Sequence, residues 1–491
     1  MRNNINYPIA IFALILWFIP ANDVIAQPDL WEVPEGFVVE EAVTDLFLPV
    51  DIAFVPNPLP DEDAPIYYIT ELYGKVKVAL RSGEVRVYAD NLLNFSPTGN
   101  FPGSGEIGVN GIVVEPNTGD LFVTMVYDDG GIKNRVVRMS SNDGGRSVAT
   151  IITLLDDIPG PPQSHQIHAA TIGPDGKLYV QIGDGFDQDS AQRDDDLRGK
   201  VLRMNFDGSM PADNPNANSY IYAKGLRNPF GGAWRKADGI LYVSDNGPDR
   251  NDRLVKVEPG GNLGWPNDLL TGAIKLWNPP VAPTAVAFCD GAGFPDSLQG
   301  RLFVGLSGPT YLLGQTSRGK RIEMFSLAED GSIISEQVFL NYTGSGRATV
   351  VGLAFGPDGL YFTDLYGKDG FDSKGMTQAN VYRISYDSST KVRDETATPV
   401  QFTLRQNYPN PFNPATVISY ELAKSSNVEL TIYNQLGQVV KILVNKRQRT
   451  GAYQIRWGGR DKEGIPVGSG TYFYRLKTGA FNQTRKLLLL R

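Results

Sequence analysis

The sequence predicts an all-β fold: a six-bladed β-propeller followed by a small Ig-like β-sandwich. Three observations support this prediction. Glycine (53) and proline (33) are frequent among the 491 residues, which favours many turns and short strands. One sequence pattern recurs six times along the chain: an apolar run, then a turn, then a segment of the type Leu-aromatic-Val. The net charge is −18 up to residue 396 and +10 beyond it, which indicates two units of different composition.

The repeated pattern predicts six similar units. Each copy reads as a hairpin of two apolar runs joined by a tight turn, and another short strand pair follows it. The central aromatic residues are 54, 57, 63, 61 and 58 residues apart: Tyr68, Phe122, Tyr179, Tyr242, Phe303 and Tyr361. Six units of four strands close into a propeller, which protects their edges. Two stacked β-sandwiches are the alternative, but they do not account for the even spacing.

Cysteine and histidine counts exclude several kinds of site. The only cysteine, Cys289, cannot form an internal disulfide or supply a zinc, iron–sulfur or CxxC centre. The two histidines cannot form a His-rich metal centre. The acidic charge of the first 396 residues argues against a nucleic-acid partner, because binding phosphate requires clustered Lys and Arg.

The N-terminus predicts export. Arg2 is followed by an apolar stretch over residues 7–20, and Ala26 suits signal peptidase, so residues 1–26 are interpreted as a signal peptide. A retained membrane anchor is the alternative, although the apolar run is shorter than the ~20 residues that span a bilayer. No second candidate span is present, so we expect a secreted or cell-surface protein without an integral membrane segment once the signal is removed.

The remaining chain divides into three parts. Residues 27–390 are predicted to form the propeller, residues 391–400 a polar linker without apolar periodicity, and residues 401–491 the β-sandwich. The last part contains five runs with the period-2 pattern of strands, separated by turns: 417–422, 428–433, 439–443, 453–457 and 471–476.

The first candidate site segment lies at residues 164–203. It contains both histidines, His165 and His168, just before a predicted strand, and their spacing places the two side chains on opposite faces. Asp184 follows the next strand, and a hairpin would bring it close enough to orient an imidazole. The alternative is that each histidine is an ordinary packed or surface residue.

The second candidate segment lies at residues 225–266. Arg227 and Asn228 are in a loop between predicted strands, and the loop around Gly247 and Pro248 exposes carbonyl groups among acidic residues. This chemistry suits an anionic ligand beside a hard cation such as Ca²⁺. Ordinary surface turns are the alternative interpretation, since Asn, Gly, Asp and Pro are common turn formers.

Several motifs resemble the soluble quinoprotein glucose/sorbosone dehydrogenase family. Gly-Leu-Arg-Asn-Pro at 225–229 and Gly-Trp-Pro at 264–266 match the family's G-H-R-N-P-Q-G and G-x-N-Y-G-W-P landmarks in order and spacing. Gly-Lys-Val-Leu-Arg at 199–203 and Gly-Glu-Ile-Gly at 105–108 match as well. The resemblance covers residues 35–386 and implies a six-bladed propeller that uses pyrroloquinoline quinone (PQQ) and calcium.

The resemblance also implies roles for individual residues. His165 would be the general base that takes the proton of a sugar hydroxyl, Asp184 would orient it, and Glu106 would line the pocket. Cofactor contacts are implied for four further residues: Arg227 and Asn228 toward quinone oxygens, and the carbonyls of Gly247 and Pro248 toward Ca²⁺.

The chain departs from the family pattern where cations are expected. Thr349 and Val351 stand in place of two cofactor arginines, and residues 306–308 read Leu-Ser-Gly where a lysine is expected. His168 and Ala169 replace a small residue and an arginine near the base. Because PQQ carries three carboxylates, and each charged hydrogen bond contributes roughly 1.5 to 3 kcal/mol, we expect weaker cofactor binding than in the family.

The basic tail resembles the C-terminal sorting domain of type IX secretion. The resemblance rests on Asn-Tyr-Pro-Asn-Pro-Phe-Asn-Pro at 407–414, Tyr-Asn-Gln-Leu-Gly at 433–437 and Pro-Val-Gly-Ser-Gly-Thr-Tyr-Phe-Tyr-Arg at 466–475. It implies carriage across the outer membrane by the type IX machinery. A carbohydrate-binding sandwich is the alternative.

Three functions remain open from the sequence. The first is a secreted PQQ-dependent oxidoreductase acting on the CH–OH group of a sugar or other alcohol. The second is a non-catalytic propeller that keeps the scaffold and binds a glycan or protein partner at the cell surface. The third is a hydrolase or lyase that uses His165 and nearby acids.

Overall fold

The computed structural model describes residues 30–96, 106–291, 293–308, 314–316, 318–366, 378–386, 402–407, 410–412, 416–479 and 481–490. The chain divides into two compact units, Met1–Tyr386 and Asp387–Arg491. The predicted signal peptide and the predicted linker lie outside the described residues.

Short strands make up the first unit. Its described part begins with β1 (Trp31–Glu32), β2 (Phe37–Leu46), β3 (Pro49–Phe54), β4 (Pro65–Glu71), β5 (Lys75–Leu80), β6 (Val85–Ala89), β7 (Val109–Val114), β8 (Leu121–Asp128), β9 (Ile132–Ser140), β10 (Thr150–Pro159), β11 (Ile167–Ile172), β12 (Leu178–Ile182) and β13 (Lys200–Met204). It continues with β14 (Ile221–Lys224), β15 (Pro229–Arg235), β16 (Ile240–Asp245), β17 (Asp252–Val257), β18 (Ala273–Trp277), β19 (Pro283–Phe288), β20 (Leu302–Leu306), β21 (Arg321–Leu327), β22 (Ile333–Tyr342), β23 (Leu353–Gly356), β24 (Gly359–Asp364) and β25 (Ala379–Tyr386). Two short 3₁₀ turns, Gln188–Gln192 and Asp296–Leu298, interrupt the loops.

These strands form antiparallel sheets that follow the repeat of the sequence. Four sheets each take four consecutive strands: β3–β6, β7–β10, β11–β14 and β15–β18. A fifth takes β19–β22 with β1 at its edge, and a sixth takes β23–β25 completed by β2. The N-terminal strands therefore complete the last two sheets, with Phe37 opposite Tyr386. The six predicted hairpins are all confirmed as antiparallel pairs.

The first strands of the sheets contact one another in a closed cycle. In chain order, β3, β7, β11, β15, β19 and β23 each contact the next, and β23 contacts β3. The walls of a cavity of about 130 Å³ come from all six strands and from Val351, and include the polar residues Asp51, His168 and Thr284. The strands of this cycle thus bring distant parts of the chain around one axis.

The second strand of each sheet carries the aromatic residue of the repeat into the core. All six of these rings are buried: Tyr68, Phe122, Tyr179, Tyr242, Phe303 and Tyr361. Neighbouring sheets pack through such side chains. The apolar residues of the repeated pattern therefore form the contacts between one sheet and the next.

The second unit contains two sheets around one core. Its described strands are β26 (Thr403–Leu404), β27 (Thr416–Leu422), β28 (Ser426–Tyr433), β29 (Val439–Gln448), β30 (Gly451–Trp457), β31 (Gly470–Thr478) and β32 (Phe481–Leu489). Strands β26, β27 and β30 form one sheet, and β29, β28, β31 and β32 the other. Side chains of both sheets, Trp457 and Tyr474 among them, share the core. The five predicted strands are confirmed, whereas β32 was not predicted because its apolar residues cluster at one end instead of alternating.

No helix in the described part of the chain has the length and apolar character needed to cross a membrane.

A partly buried carboxyl that lines the central cavity predicts how stability depends on pH. Asp51 accepts hydrogen bonds from the backbone N–H groups of Ile52 and Ile112, at 2.9 and 3.1 Å. Burial raises the pKa of Asp51 from 3.8 to about 6. Between these values the folded state keeps a proton that the unfolded state releases, so this group lowers the free energy of unfolding as the pH rises.

We therefore expect Asp51→Asn to gain stability relative to the wild type as the pH rises from about 4 to about 7. Urea unfolding at several pH values measures this difference. Asp61→Asn, which changes an exposed carboxyl, is the matched control. If both variants follow the pH dependence of the wild type, the assignment of this dependence to Asp51 is wrong.

Candidate active site

A histidine and an aspartate face each other at one end of the β11–β12 hairpin. His165 precedes β11 and Asp184 follows β12, and the pairing of Ile167 with Ile182 sets the two loop ends side by side. Nδ1 of His165 lies 2.5 Å from Oδ1 of Asp184. Both side chains are buried, at 4% and 2% exposure. The structure thus brings together His165, the candidate base, and Asp184, its candidate orienting partner.

Further donors hold the Asp184 carboxylate in place. Its Oδ1 accepts the backbone N–H of Phe186 at 2.9 Å, and its Oδ2 accepts the indole N–H of Trp265 at 2.9 Å. The backbone N–H of Asp184 donates to the carbonyl of Arg227 at 2.8 Å. These bonds tie the His165 partner to two other loops, so the orientation of the imidazole depends on tertiary contacts.

The other nitrogen of His165 has no hydrogen-bond partner among the described residues. Among the described residues no hydrogen bond involves Nε2 of His165, since Asp184 binds Nδ1. The imidazole stacks on the ring of Phe186, with centroids 4.0 Å apart and planes at 19°. Phe186 is half exposed. An imidazole oriented by a carboxylate through Nδ1, with Nε2 available, is an arrangement suited to general base chemistry.

Glu106 connects three parts of the site. Its Oε2 accepts the backbone N–H of His165 at 2.5 Å and lies 3.1 Å from Nε2 of His168. Its Oε1 accepts the side-chain N–H of Asn228 at 3.3 Å. Burial alone would raise the pKa of Glu106, but its hydrogen bond and electrostatic interaction with His168, with a smaller contribution from His165, hold it below its usual value.

Arg227 and Asn228 lie in the loop between β14 and β15, and a buried ion pair supports them. Their backbone N–H groups donate to Oδ1 of Asp245 at 3.1 and 2.8 Å. Oδ2 of Asp245 pairs with the guanidinium of Arg253 at 2.8 Å, and both side chains are almost completely buried. A buried carboxylate requires such partners. The position of the loop therefore depends on Asp245.

The guanidinium of Arg227 faces the loop after β16. It donates to the carbonyls of Asn246 and Gly247 at 3.1 and 2.9 Å, and lies 5.7 Å from the ring centroid of Trp265. Gly247 is buried and Pro248 is exposed. The Gly247 carbonyl, one of the two suggested as Ca²⁺ ligands, thus already accepts a hydrogen bond from Arg227. No group of three or more His, Cys, Asp or Glu side chains in the described residues could hold a metal ion.

The positions of the expected cofactor cations carry neutral residues, of which Thr349 and Ser307 are buried and Val351 is partly buried. Thr349 donates its backbone N–H and its hydroxyl to Oδ1 of Asp364 at 2.8 and 3.0 Å. Val351 lines the central cavity, and Ser307 donates to the carbonyl of Val350 at 2.9 Å. Of the predicted cofactor residues, Arg227 is a cationic donor, and Asn228 retains a buried Oδ1 without a partner among the described residues. The site therefore fits the polar end of a quinone at Arg227 and Asn228, and lacks the family's cations within 306–308 and at 349 and 351.

Three contributors to the site did not emerge from the sequence. Trp265 belongs to the Gly-Trp-Pro motif at 264–266, but no sequence pattern indicates its hydrogen bond to Asp184. Phe186 carries no motif signal and becomes visible only as the ring stacked on His165. His168 was assigned to the opposite face from His165. Its ring does pack elsewhere, on Phe230, yet both histidines reach the carboxylate of Glu106.

A cycle of antiparallel sheets with a buried His–Asp pair at one end defines a β-propeller protein with a polar site formed by loops. Residues 57–362 match the family described as Glucose / Sorbosone dehydrogenase. This is more than half of the chain, which therefore belongs to the glucose/sorbosone dehydrogenase family.

Individual relatives agree with this family. The chain is 32% identical over 221 residues to quinoprotein glucose dehydrogenase B of Acinetobacter calcoaceticus, covering 40% of this chain and 44% of that enzyme. It is 24% identical over 343 residues to the aldose sugar dehydrogenase YliI of Escherichia coli, covering 63% of this chain and 86% of that protein. The crystal structure of an oxidoreductase described as a glucose dehydrogenase from Thermus thermophilus is similar, with a TM-score of 0.57, 27% identity, and coverage of 71% of this chain and 99% of that one. The match to the Acinetobacter relative thus spans less than half of its length.

The second unit has its own match. Residues 412–480 match a family described as FlgD Ig-like domain. This agrees with the two-sheet core of β26–β32 and supports an Ig-like fold for the tail.

We expect Arg253→Leu to lower the free energy of unfolding by about 3 to 5 kcal/mol, because it leaves the Asp245 carboxylate buried without its cation. Chemical denaturation measures this loss. Arg86→Leu breaks an exposed pair with Glu84 and should change stability little. Equal losses of stability in the two variants would show that burial of the Arg253–Asp245 pair does not increase its contribution to the free energy of unfolding.

Proposed function

We propose that the protein is a secreted dehydrogenase that oxidises a hydroxyl group of a sugar or other alcohol with a PQQ cofactor. The observation that supports this best is the buried His165–Asp184 pair, which leaves Nε2 of the imidazole available beside the Arg227 loop. The names of the relatives agree, since one is a quinoprotein glucose dehydrogenase and another an aldose sugar dehydrogenase.

In this proposal His165 acts as the general base. Asp184 accepts the Nδ1 proton of the imidazole, so Nε2 carries the lone pair that takes the proton from the substrate hydroxyl. The positive charge that develops on the ring is stabilised by the nearby Asp184 carboxylate. Phe186 covers one face of the imidazole. The Nε2 lone pair lies in the plane of the ring, so the substrate hydroxyl must approach at the ring edge.

The cofactor would be held by Arg227 and Asn228. When bound, the quinone supplies the electrophilic carbon that accepts the hydride from the carbon bearing the hydroxyl. Arg227 is the cationic donor toward its oxygens, and the indole of Trp265 lies beneath the guanidinium. Calcium would use the carbonyls of Gly247 and Pro248, and Arg227 would then have to release the Gly247 carbonyl.

We interpret the six sheets of the first unit as the six blades of a propeller. The closed cycle of first strands and the completion of the last sheet by β2 support this interpretation. A ring of blades places the loops that carry the candidate site at one end of the central axis.

We further propose that residues 1–26 direct export and that residues 401–491 act as a type IX secretion sorting domain, which would place the protein outside the cell or at its surface. The Ig-like match of residues 412–480 and the basic charge of the tail are compatible with a carrier domain separate from the propeller.

A non-catalytic propeller that binds a glycan or protein partner is the second candidate function. The neutral residues at 349 and 351 favour it, because they stand where cations would bind the carboxylates of PQQ. The two candidates differ in cofactor binding, which can be measured directly.

Reconstitution of the purified protein with PQQ and Ca²⁺ should produce a shift in the quinone absorption spectrum and dye reduction with an aldose or alcohol. His165→Ala should retain the spectral shift and lose activity by about 10²- to 10⁴-fold, because only the base is removed. Asp189→Asn, which changes an exposed acid in the same loop region as Asp184, is the matched control and should keep full activity.

Two results would contradict this proposal. Absence of both a spectral shift and dye reduction across a panel of aldoses and alcohols would favour the non-catalytic propeller. Full activity of His165→Ala would exclude His165 as the base and leave the dehydrogenase function in place.

The proposed export predicts a mature N-terminus at Gln27. Mass spectrometry of the protein recovered from the medium or cell surface of an exporting host with the type IX machinery measures this terminus. A truncation that removes residues 401–491 should remain inside the outer membrane, and its recovery outside the cell would contradict the sorting role.

A further inference from the structure

The second histidine of the chain contacts the site through a carboxylate. His168 lies in β11, and only 4% of its surface is exposed. Its ring stacks on Phe230, with centroids 3.9 Å apart and planes at 21°. Its Nε2 lies 3.1 Å from Oε2 of Glu106. The stacking fixes the plane of the imidazole, so Nε2 is aimed at this one oxygen.

The same oxygen of Glu106 supports the backbone of His165. It accepts the His165 N–H at 2.5 Å. His165 has a φ of 65°, a left-handed conformation that is costly for residues other than glycine. A residue in this conformation persists only when its surroundings hold it. The bond to Glu106 is therefore one of the contacts that keep the candidate base in an otherwise unfavourable backbone conformation.

Glu106 also joins this loop to the Arg227 loop. Its other oxygen accepts the side-chain N–H of Asn228 at 3.3 Å. A carboxylate with three donors from three elements has little freedom to move. If the His168 donor is lost, Oε2 of Glu106 is no longer fixed by the stacked ring, and its hydrogen bond to the His165 N–H is expected to weaken.

We propose that His168 is a positioning residue that fixes Glu106, so that Glu106 holds the backbone of His165 and thereby aims its imidazole. The catalytic consequence rests on the proposed function, whereas the structural coupling does not. His168 stands where the family resemblance implies a small residue. The proposed contact between His168 and Glu106 is therefore not one that the resemblance implies.

The chain offers two substitutions that separate this role from simple packing. His168→Phe keeps an aromatic ring for the stack on Phe230 and removes the donor to Glu106. His168→Gln gives up the ring and keeps an N–H donor. A packing role predicts that Phe is tolerated better than Gln, and the positioning role predicts the reverse.

The direct test uses the protein without cofactor and without a histidine tag, labelled with ¹⁵N-histidine. Because the chain has two histidines, the wild type gives two backbone amide signals, and His168→Phe leaves only that of His165. Loss of the bond to Glu106 should speed hydrogen exchange of the His165 amide by about tenfold, the effect of one hydrogen bond. His168→Gln should leave the exchange rate close to that of the wild type, and Glu106→Gln should shift the signal of the same amide.

Two results would overturn the proposal. One is an unchanged His165 amide in a His168→Phe variant whose melting temperature equals that of the wild type. The other is faster exchange in His168→Gln than in His168→Phe. If His168→Phe does not fold, the Gln variants of His168 and Glu106 still decide the question, because an unchanged His165 amide in Glu106→Gln also overturns it.

A second readout applies if the reconstituted protein is active. His168→Phe should then lower kcat with little change in KM, and His168→Gln should restore most of it, because the substrate contacts are intact and only the aim of the base is altered. If the protein shows no dehydrogenase activity, the proposed function fails, and the amide measurement still tests the coupling of His168 to His165.

Discussion

Carboxylates that are removed from water must be surrounded by donors, and this constraint governs the site end of the first unit. Asp184 accepts from the His165 ring, the Phe186 backbone and the Trp265 indole. Asp245 likewise accepts from two backbone amides and pairs with the buried Arg253. Each carboxylate binds loops that are far apart in the chain. The loops that carry the candidate base and the candidate cofactor donors are therefore held by charge compensation as much as by apolar packing.

The arrangement of the strands explains why these loops meet at all. Each hairpin begins with a strand of the inner cycle, and β3, β7, β11, β15, β19 and β23 contact their neighbours in turn. In an antiparallel hairpin the residue before the first strand lies beside the residue after the second, as His165 and Asp184 show. The fold thus repeats one local geometry, and the chemistry depends on which side chains occupy equivalent loop ends.

The site combines features of the family with features of its own. The Arg227 loop, the Trp265 loop and the His165–Asp184 pair are the features that the family resemblance implied. The neutral residues Thr349 and Val351 reduce the charge available to a carboxylate-rich cofactor. His168 and Phe186 add aromatic stacking around the candidate base that the family pattern did not suggest. Under the proposed function, cofactor affinity and the orientation of the candidate base would therefore depend on different residues.

The sequence by itself determined the hairpins, the two units and the proximity of His165 to Asp184, because each depends on short-range periodicity or on residues only 19 positions apart. It could not determine that Glu106 meets Asn228, 122 positions away, or that Trp265 binds Asp184, 81 positions away. Such contacts depend on how the sheets are arranged around the axis. Local sequence patterns do not predict that arrangement. Only the tertiary structure decided that both histidines contact the carboxylate of Glu106. Their spacing places the two rings on opposite faces. His165, which has a left-handed backbone conformation, donates its backbone N–H to the same oxygen that the His168 ring contacts.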